Sequence, residues 1–320
     1  MTGARPGRVL GLHLGVLALL LGLQFVVPPF HHGMLARIMV LAVYAIGYNV
    51  LLGYTGLMSL GHAMFFAAGM YATGLPVYYL GLGGAPAFAL GVVGGVVAAV
   101  VVGLVALRTA GVAFLIVTMM LSQAFYLATL YFNEVTMGDQ GFILSGQLRP
   151  LALGGLRLGF ADPGVKYNLA LAVFGLALLV TVWLTGSPVG RVLVAVRENE
   201  ERTRLLGYDT FRYKLLSLAI SGGLSGAAGG AYALLFSYVG STFASVLYSI
   251  YPLLWALLGG AGTTLGPLVG TVLMTYAVDV ASGLTSSYLI VVGLMLVVLV
   301  LWFPTGIVGG IRARWLTWLP

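Results

Sequence analysis

Residues 187–214, with the sequence SPVGRVLVAVRENEERTRLLGYDTFRYK, differ in composition from the rest of the chain. The chain has 15 basic and 8 acidic residues. Ten of these charged residues lie in this one stretch: Arg191, Arg197, Glu198, Glu200, Glu201, Arg202, Arg204, Asp209, Arg212 and Lys214. Long apolar runs precede and follow it, and so dense a cluster of charge is costly to place in hydrocarbon. The stretch therefore predicts a water-exposed segment on one side of a membrane.

The same stretch has the pattern of a short helix at the membrane surface. The apolar positions between its charges, at helical spacing, are Val192, Val196, Leu205 and Leu206. Pro188 suits a first helical turn, and Gly207 suits a left-handed C-terminal cap. We predict one exposed helix over residues 189–206 that is available to another protein. A solvated connector is the alternative.

The composition of the chain indicates its fold class. Of 320 residues, 60% are hydrophobic and 7% are charged, and the mean hydropathy is +1.06. A soluble domain carries about 25% charged residues. A transmembrane β-barrel alternates apolar and polar residues and has no continuous apolar runs of about twenty. We predict an all-α integral membrane protein with glycine-broken segments. Because the chain has no cysteine, disulfides, thiolate catalysis and cysteine metal sites are excluded.

A length of about twenty residues per span predicts about ten transmembrane helices within a single domain, 1–320. The predicted spans are 9–27, 34–52, 60–80, 87–107, 111–132, 167–185, 215–236, 250–262, 266–281 and 287–303. Several are short or interrupted by glycine, so one span more or fewer stays open.

The basic residues predict the orientation of these spans. With the N-terminus inside, eleven of the 15 basic residues fall on inner segments. The four assigned to outer segments are Arg37, Arg149, Arg157 and Lys166. This bias follows the positive-inside rule and predicts that both termini and residues 187–214 are cytoplasmic. The rule also accounts for the net charge of +7 without nucleic-acid binding.

The longest outer segment, residues 133–166, is polar and rich in turn residues. A connection of this length is often functional. We predict an extracytoplasmic loop, which is either a cap that meets a partner or a solvated connector.

Two glycine-interrupted segments have similar sequences. LLGYTG at 51–56 is followed by SLG at 59–61, and LLGGAG at 257–262 is followed by TLG at 264–266. Interrupted apolar segments at matching positions of two halves indicate a transport pathway, because irregular backbone at membrane depth needs protein or water as a partner. We predict a faint internal repeat. Chance similarity of glycine-rich segments is the alternative.

Glycines recur at every fourth position, on one predicted helix face, in two places. Such rows let helices approach closely, so they predict tight packing, with subunit pairing or gating as alternatives. The rows are Gly222, Gly226 and Gly230, and then Gly262, Gly266 and Gly270, with Pro267 interrupting the second.

Catalytic and metal sites are disfavoured. Ser225, within residues 223–226, matches the G-x-S-G shape of intramembrane serine proteases. All four histidines precede this serine, whereas rhomboid-type enzymes place theirs after it. The sequence has no P-loop, and no HExxH motif or acidic cluster suggests a metal. We therefore predict no catalytic residue and no metal ligand.

The spans also contain few ionisable residues, and no carboxylate falls near a predicted midplane. Ion-coupled carriers use such carboxylates, so the driving energy is predicted to come from outside the chain. Neutral groups suit a pathway that holds its solute weakly, and the candidates are Asn49, Gly53, Gly56, Ser59, His62 and Gln123. Interhelical hydrogen bonding is the alternative for each polar residue. For His62 we favour a bond to a neighbouring backbone carbonyl.

Four groups of motifs occur in order between about residue 34 and residue 310. They are NVLLGYTG at 49–56 with SLGHA at 59–63, then GR at 190–191 with AVRENE at 195–200 and LGY at 206–208, then LLGG at 257–260 with LGPLVG at 265–270, and finally FPTGIVGG at 303–310. Together they resemble the LivM-type permeases of branched-chain amino acid ABC importers.

The resemblance implies a multi-pass subunit of a bacterial inner (plasma) membrane that pairs with a second, LivH-like permease. Two cytoplasmic ATPase subunits and a soluble extracytoplasmic binding protein complete such an importer. The chain itself then binds no cofactor, because ATP-Mg binds to the ATPases. The charged stretch is implied to couple the permease to the ATPases, through Arg191, Arg197, Glu198, Asn199, Glu200 and Gly207.

The resemblance leaves the substrate open. Residues 133–166 match the family only loosely, around TMGDQG at 136–141. Related permeases serve branched-chain amino acids, urea, short amides and small organic acids. The expected function is half of a translocation pathway for such a solute. A self-contained secondary carrier or channel is the alternative, and transport without an ATPase would distinguish it.

Overall fold

The computed structural model describes residues 6–146, 151–153, 156–160, 162–303 and 305–315. Pro304 of the tail motif, Arg149 and other parts of the predicted outer loop lie outside the described residues. The helices are α1 (Pro6–Val26), α2 (Pro29–Asn49), α3 (His62–Leu80), α4 (Gly84–Ala106), α5 (Val112–Tyr131), α6 (Asn133–Thr136), α7 (Pro163–Gly186), α8 (Pro188–Glu198), α9 (Glu200–Leu205), α10 (Thr210–Phe236), α11 (Val246–Gly259), α12 (Gly266–Leu284), α13 (Tyr288–Trp302) and α14 (Ile307–Arg314). A π-helical segment, Val50–Tyr54, extends α2, and a 3-10 turn covers Ser241–Ala244. The strands are β1 (Phe142–Ile143), β2 (Leu151–Leu153), β3 (Leu156–Leu158) and β4 (Tyr238–Val239).

Seven helical runs in the described part of the chain are long and apolar enough to cross a membrane. They are α1, α2 with its π segment, α4, α5, α7, α10 and α12, while α11 and α13 are apolar but shorter. Each predicted span coincides with one of these helices or with α3. The prediction of an all-α multi-pass membrane protein is confirmed. The number of crossings, the cytoplasmic position of the termini and the internal repeat stay predictions.

Contacts between the connecting segments show which of them share an end of the helical bundle. At one end, the Arg197 side chain contacts Gly53, and the Arg312 side chain contacts Gly262. At the other end, β1, which follows α5, pairs with β4, which follows α10. Residues 187–214, both glycine-broken segments and α14 therefore lie together, as the predicted alternation of spans requires.

Residues 133–166 have more regular structure than the predicted loop. α6 and β1 lie in their first part, and β2 and β3 form an antiparallel hairpin. β1 pairs with β4, and the N–H of Leu144 donates to the carbonyl oxygen of Ser237 at 2.9 Å. Pairing with a neighbouring strand satisfies backbone groups that would otherwise need water.

The first glycine row packs α10 backbone to backbone against α3 and α4. A β-carbon at Gly226 would lie 2.8 Å from the Cα atom of Gly95, and one at Gly69 would overlap the carbonyl oxygen of Gly226. Gly222 lies equally close to the backbone of α4, whereas Gly230 faces a side chain of α3. Three helices therefore meet at a distance that only glycine allows.

The second glycine row does not lie on one helix. α12 begins at Gly266, and Pro267 occupies its first turn, where the missing N–H of proline has no helical partner to lose. Gly262 precedes the helix and has a φ of +74°, which favours glycine. Gly270 lies within α12, against the carbonyl oxygen of Trp255 in α11. The prediction that these three glycines share one helix face is wrong, because Gly262 precedes the helix that begins at Gly266.

Replacing Gly226 with alanine is expected to lower the melting temperature of the chain in detergent. The added methyl group would meet backbone atoms of α4, which cannot rotate aside as side chains do, and such overpacking costs about 1–3 kcal/mol. Gly293→Ala in α13 is the matched control, because nothing lies within 4 Å of a β-carbon there. Equal melting temperatures of the two variants would contradict the close approach of α10 and α4.

Candidate functional site

The π-helical segment Val50–Tyr54 lies at the centre of the candidate site. A π turn widens the helix, displaces backbone groups from their usual partners and is frequent at functional sites. Side-chain hydroxyl groups donate hydrogen bonds to backbone carbonyl oxygens here. Thr55 Oγ1 donates to the carbonyl oxygen of Val50 at 3.1 Å, and Ser221 Oγ of α10 donates to that of Gly47 at 2.6 Å. α10 therefore holds the end of α2 through a side-chain hydroxyl.

His62 begins α3 and is fully buried beside this segment. Its Nε2 lies 2.6 Å from Ser221 Oγ. Because Ser221 gives its proton to Gly47, Nε2 is the donor of this bond. Nδ1 has no partner in the part of the chain that the structure describes. The ring therefore binds a hydroxyl on another helix, and the favoured bond to a neighbouring backbone carbonyl is not found there.

Asn49 joins the two glycine-broken segments. Its Nδ2 donates to the carbonyl oxygen of Thr263 at 2.9 Å, and its Oδ1 accepts from the N–H of Gly262 at 2.9 Å. Gly53 lies so close to Gly262 that a β-carbon there would overlap that backbone. The two segments with similar sequences are therefore in direct contact. Both the nitrogen and the oxygen of the Asn49 amide form hydrogen bonds with the protein backbone.

Two arginines bind carbonyl oxygens where these segments meet. Arg197 Nη1 of α8 donates to Gly53 at 2.5 Å, and Arg312 Nη1 of α14 donates to Gly262 at 3.1 Å. Both carbonyls lie at or just beyond the C-terminal end of a helix, where unpaired C=O groups carry partial negative charge and attract cations. We call Asn49, Gly53, Gly262, Arg197 and Arg312 the arginine junction.

The charged stretch forms two helices and not the single helix predicted over residues 189–206. α8 ends at Glu198, and Asn199 has extended backbone with a φ of −162°. Asn199 Oδ1 accepts from the N–H of Arg202 at 2.8 Å, so this residue is the N-cap of α9. Asparagine is a favoured N-cap residue, and Asn199 stands between the end of α8 and the start of α9. The predicted helix start at Pro188 and the left-handed conformation of Gly207 are confirmed.

An ion-pair network joins α9 to α10. Glu200 Oε1 accepts from Lys214 Nζ at 2.7 Å, from Thr210 Oγ1 at 3.0 Å and from Arg204 Nη2 at 3.3 Å. Burial of the Glu200 carboxyl raises its pKa, but Lys214, Thr210 and Arg204 together outweigh this effect and hold the pKa below its ordinary value. The network therefore stabilises the ionised carboxylate and fixes α9 against α10.

The outer face of α8 and α9 is exposed. Exposed residues among those implied in coupling are Arg191, Arg197, Glu198, Asn199 and Gly207. Leu205 and Leu206, which helical spacing placed on the same face as the buried valines, are 84% and 71% exposed. The helical register does not continue past the break at Asn199, so these leucines project away from the bundle.

The remaining pathway candidates are not all brought together. Gly56 lies against the Arg197 side chain, and a β-carbon at Gly56 would lie 2.8 Å from Arg197 Cγ. Ser59 is buried, and its carbonyl oxygen accepts from the Tyr48 hydroxyl at 2.9 Å. Gln123 is exposed on α5 and makes no hydrogen bond to the junction among the described residues. A pathway role of Gln123 would therefore be separate from the arginine junction.

Sequence reasoning did not single out Ser221 or Arg312. Ser221 lies between Ser217 and Ser225 at intervals of four residues, so a polar stripe along α10 was a usable signal. Ser217 belongs to the same network, since its Oγ lies 2.5 Å from Thr55 Oγ1. No sequence pattern identifies Arg312, because its contact depends on how α14 folds back onto α11.

Glu200→Gln is expected to lower the melting temperature of the chain at neutral pH but not in acid. The pKa of Glu200 is lower in the folded chain, so its charge contributes stability above the ordinary pKa of 4.5, and that contribution is lost as the pH falls through the folded-state value. The difference in melting temperature between Glu200→Gln and the unmodified chain should therefore vanish in acid. The exposed Glu201→Gln is the control. A difference for Glu200→Gln that is independent of pH would contradict this account.

Comparisons with known proteins agree with the motif order. The family described as the permease component of branched-chain amino acid transport systems matches residues 32–300. The chain is 28% identical over 297 residues to the high-affinity branched-chain amino acid transport system permease protein LivM of Salmonella typhimurium, covering 86% of this chain and 69% of that protein. It is 27% identical to the LivM protein of Escherichia coli over the same length and with the same coverage.

An archaeal relative is similar over a shorter stretch. The chain is 25% identical over 256 residues to the probable branched-chain amino acid transport permease protein LivM of Methanocaldococcus jannaschii, covering 71% of this chain and 74% of that protein. The family match includes the π segment, the charged stretch and both glycine-broken segments. The resemblance inferred from the motifs is confirmed. This chain belongs to the family of permease components of branched-chain amino acid transport systems.

Proposed function

We propose that this chain is the membrane-spanning permease subunit of an ABC importer. It forms half of the translocation pathway for branched-chain amino acids or related small solutes. Its partners are a second, LivH-like permease, two cytoplasmic ATPase subunits that bind ATP-Mg, and an extracytoplasmic binding protein. Family membership supports the transport role. The observation that carries the coupling role is the hydrogen bond from Arg197 to Gly53.

The exposed end of the charged stretch supports docking of an ATPase. Leu205, Leu206 and Tyr208, which we call the docking tip, are 84%, 71% and 43% exposed. The exposed charges of Glu201 and Arg202 lie next to them in α9. Apolar surface rimmed by charge is typical of protein–protein contacts. Complementary charges on the partner would set the orientation of the complex.

Two connections carry motion from the docking tip into the membrane spans. Arg197 holds α8 to the π segment through Gly53, and Glu200 holds α9 to α10 through Lys214. α10 in turn binds the end of α2 through its serine hydroxyls. A displacement of α8 and α9 therefore moves α2 and α10 with them. The four helices move as one rigid body, and the loop between them does not bend.

Two substitutions separate docking from the transmission of motion. Leu206→Asp is expected to abolish copurification of the ATPase subunits, because it buries an unpaired charge in the contact. Arg197→Gln is expected to leave copurification intact and to lower ATP-driven uptake into proteoliposomes at least about tenfold, because it removes a charge-assisted hydrogen bond. Copurification and uptake are measured on the same preparations.

The control for both variants is Arg108→Gln. Arg108 is exposed between α4 and α5, at the same end of the bundle and outside the charged stretch. This variant should change neither copurification nor uptake. Uptake at the unmodified rate by Arg197→Gln would contradict the coupling role. Uptake by the chain alone, without ATPases, would contradict the importer and favour a secondary carrier.

A further inference from the structure

A groove of about 430 Å³ lies between the end of α13 and α14, at the same end of the bundle as the arginine junction. Its lining is mostly apolar and includes Phe303, Ile307 and Ile311. Two tryptophans also line it, Trp302 and Trp315, which are 76% and 82% exposed. This volume lies within the range of about 300–1,000 Å³ for ligand sites. The groove therefore has room for part of an amphipathic molecule.

Helix α14 presents two different faces to its surroundings. One face packs on the second broken segment, where Arg312 Nη1 donates to the carbonyl oxygen of Gly262 at 3.1 Å. The groove runs along the other face, on which Ile307, Ile311 and Arg314 follow one another at intervals of four and three residues. A molecule in the groove would therefore contact the helix that carries Arg312 without displacing its bond to the junction.

The corner between α13 and α14 has the sequence of a helix end at a membrane–water interface. α13 is apolar, and among its described side chains only Val292 is buried. Trp302 is the last residue of α13, and tryptophan is enriched where a membrane span meets water. Arg312 and Arg314 follow in the last turn of α14. Basic residues next to a span are attracted to anionic lipid headgroups.

The Arg314 guanidinium supplies an unpaired positive charge to the groove. Arg314 is exposed, and in the part of the chain that the structure describes no ion pair within 4.0 Å involves it. A guanidinium can bind a phosphate through two parallel N–H bonds. Thr305 also lines the groove and offers a hydroxyl as a further donor. The groove therefore combines an apolar surface with a cation, which is the combination that an amphipathic anion needs.

We propose that this groove binds one anionic phospholipid. The lipid phosphate pairs with Arg314, and an acyl chain lies along Ile307 and Ile311. A zwitterionic lipid such as phosphatidylcholine binds more weakly, because its own choline cation competes with Arg314 for the phosphate. The bound lipid holds α14 in place, and with it the bond from Arg312 to Gly262. Membrane composition thereby acts on the arginine junction, independently of the transported solute.

Native mass spectrometry of the full chain in detergent, titrated with dioleoyl phosphatidylglycerol, tests the site. Arg314→Gln is expected to weaken binding of this lipid at least about tenfold, because a bond between two charged groups is lost. Arg108→Gln, which removes an exposed cation at the same end of the bundle, should leave binding unchanged. The lipid should also raise the melting temperature of the unmodified chain and not that of Arg314→Gln. In dioleoyl phosphatidylcholine the two chains should melt alike, which separates lipid binding from folding.

Four results would overturn the proposal. One is equal binding of phosphatidylglycerol by Arg314→Gln and the unmodified chain. A second is a rise in melting temperature of the same size from inorganic phosphate, also dependent on Arg314, which would show a site for free anions. Lipid binding by a chain that ends at Trp315, but not by the full chain, would assign the groove to residues 316–320. Loss of the bound lipid when the ATPase subunits assemble would assign the groove to the ATPase.

Discussion

The hydrogen bond from Arg197 to the carbonyl oxygen of Gly53 links the charged stretch of this chain to the apolar run His31–Tyr54, which is long enough to cross a membrane. A carbonyl at the end of a broken helix needs a donor from protein or water, because hydrocarbon has none. A guanidinium on a surface helix provides that donor. In doing so it makes the position of α2 depend on the position of α8. Arg312 provides the equivalent bond to the second broken segment, at Gly262.

The glycine contacts and the arginine junction constrain the same helices in different ways. Gly226 and Gly95 let the backbones of α10 and α4 touch, so this part of the bundle is close-packed and resists deformation. The polar bonds of Asn49 and Ser221 then tie α2 to the second broken segment and to α10. Breaking one of these buried bonds would leave a polar group without a partner, at a cost of about 1–3 kcal/mol. The junction is therefore expected to move as a unit.

The sequence predicted most of the helices and few of the contacts between them. Hydrocarbon thickness sets the length of an apolar span, so length and hydropathy were enough to place ten helices. The charged stretch was predicted as one helix because its apolar residues keep helical spacing throughout. That spacing does not reveal an N-cap in the middle of the stretch, and Asn199 is such a cap. The second span was predicted to begin at residue 34, whereas α2 begins at Pro29, because the start of an apolar helix cannot be located to a few residues beside a charge. The bond between His62 and Ser221 depends on which helices meet, and periodicity carries no such information.

The most direct test of the account is whether α9 and the π segment keep a fixed separation while the transporter works. Because the chain has no cysteine, spin labels can be placed only where they are wanted. Labels at the exposed residues Glu201 and Met58 report this separation, and labels at Glu201 and Ile143 report movement relative to the opposite end of the bundle. On ATP binding by the assembled complex, the account predicts that the first distance stays constant while the second changes. A change in the first distance would show that α9 moves independently of the π segment and would contradict the coupling through Arg197.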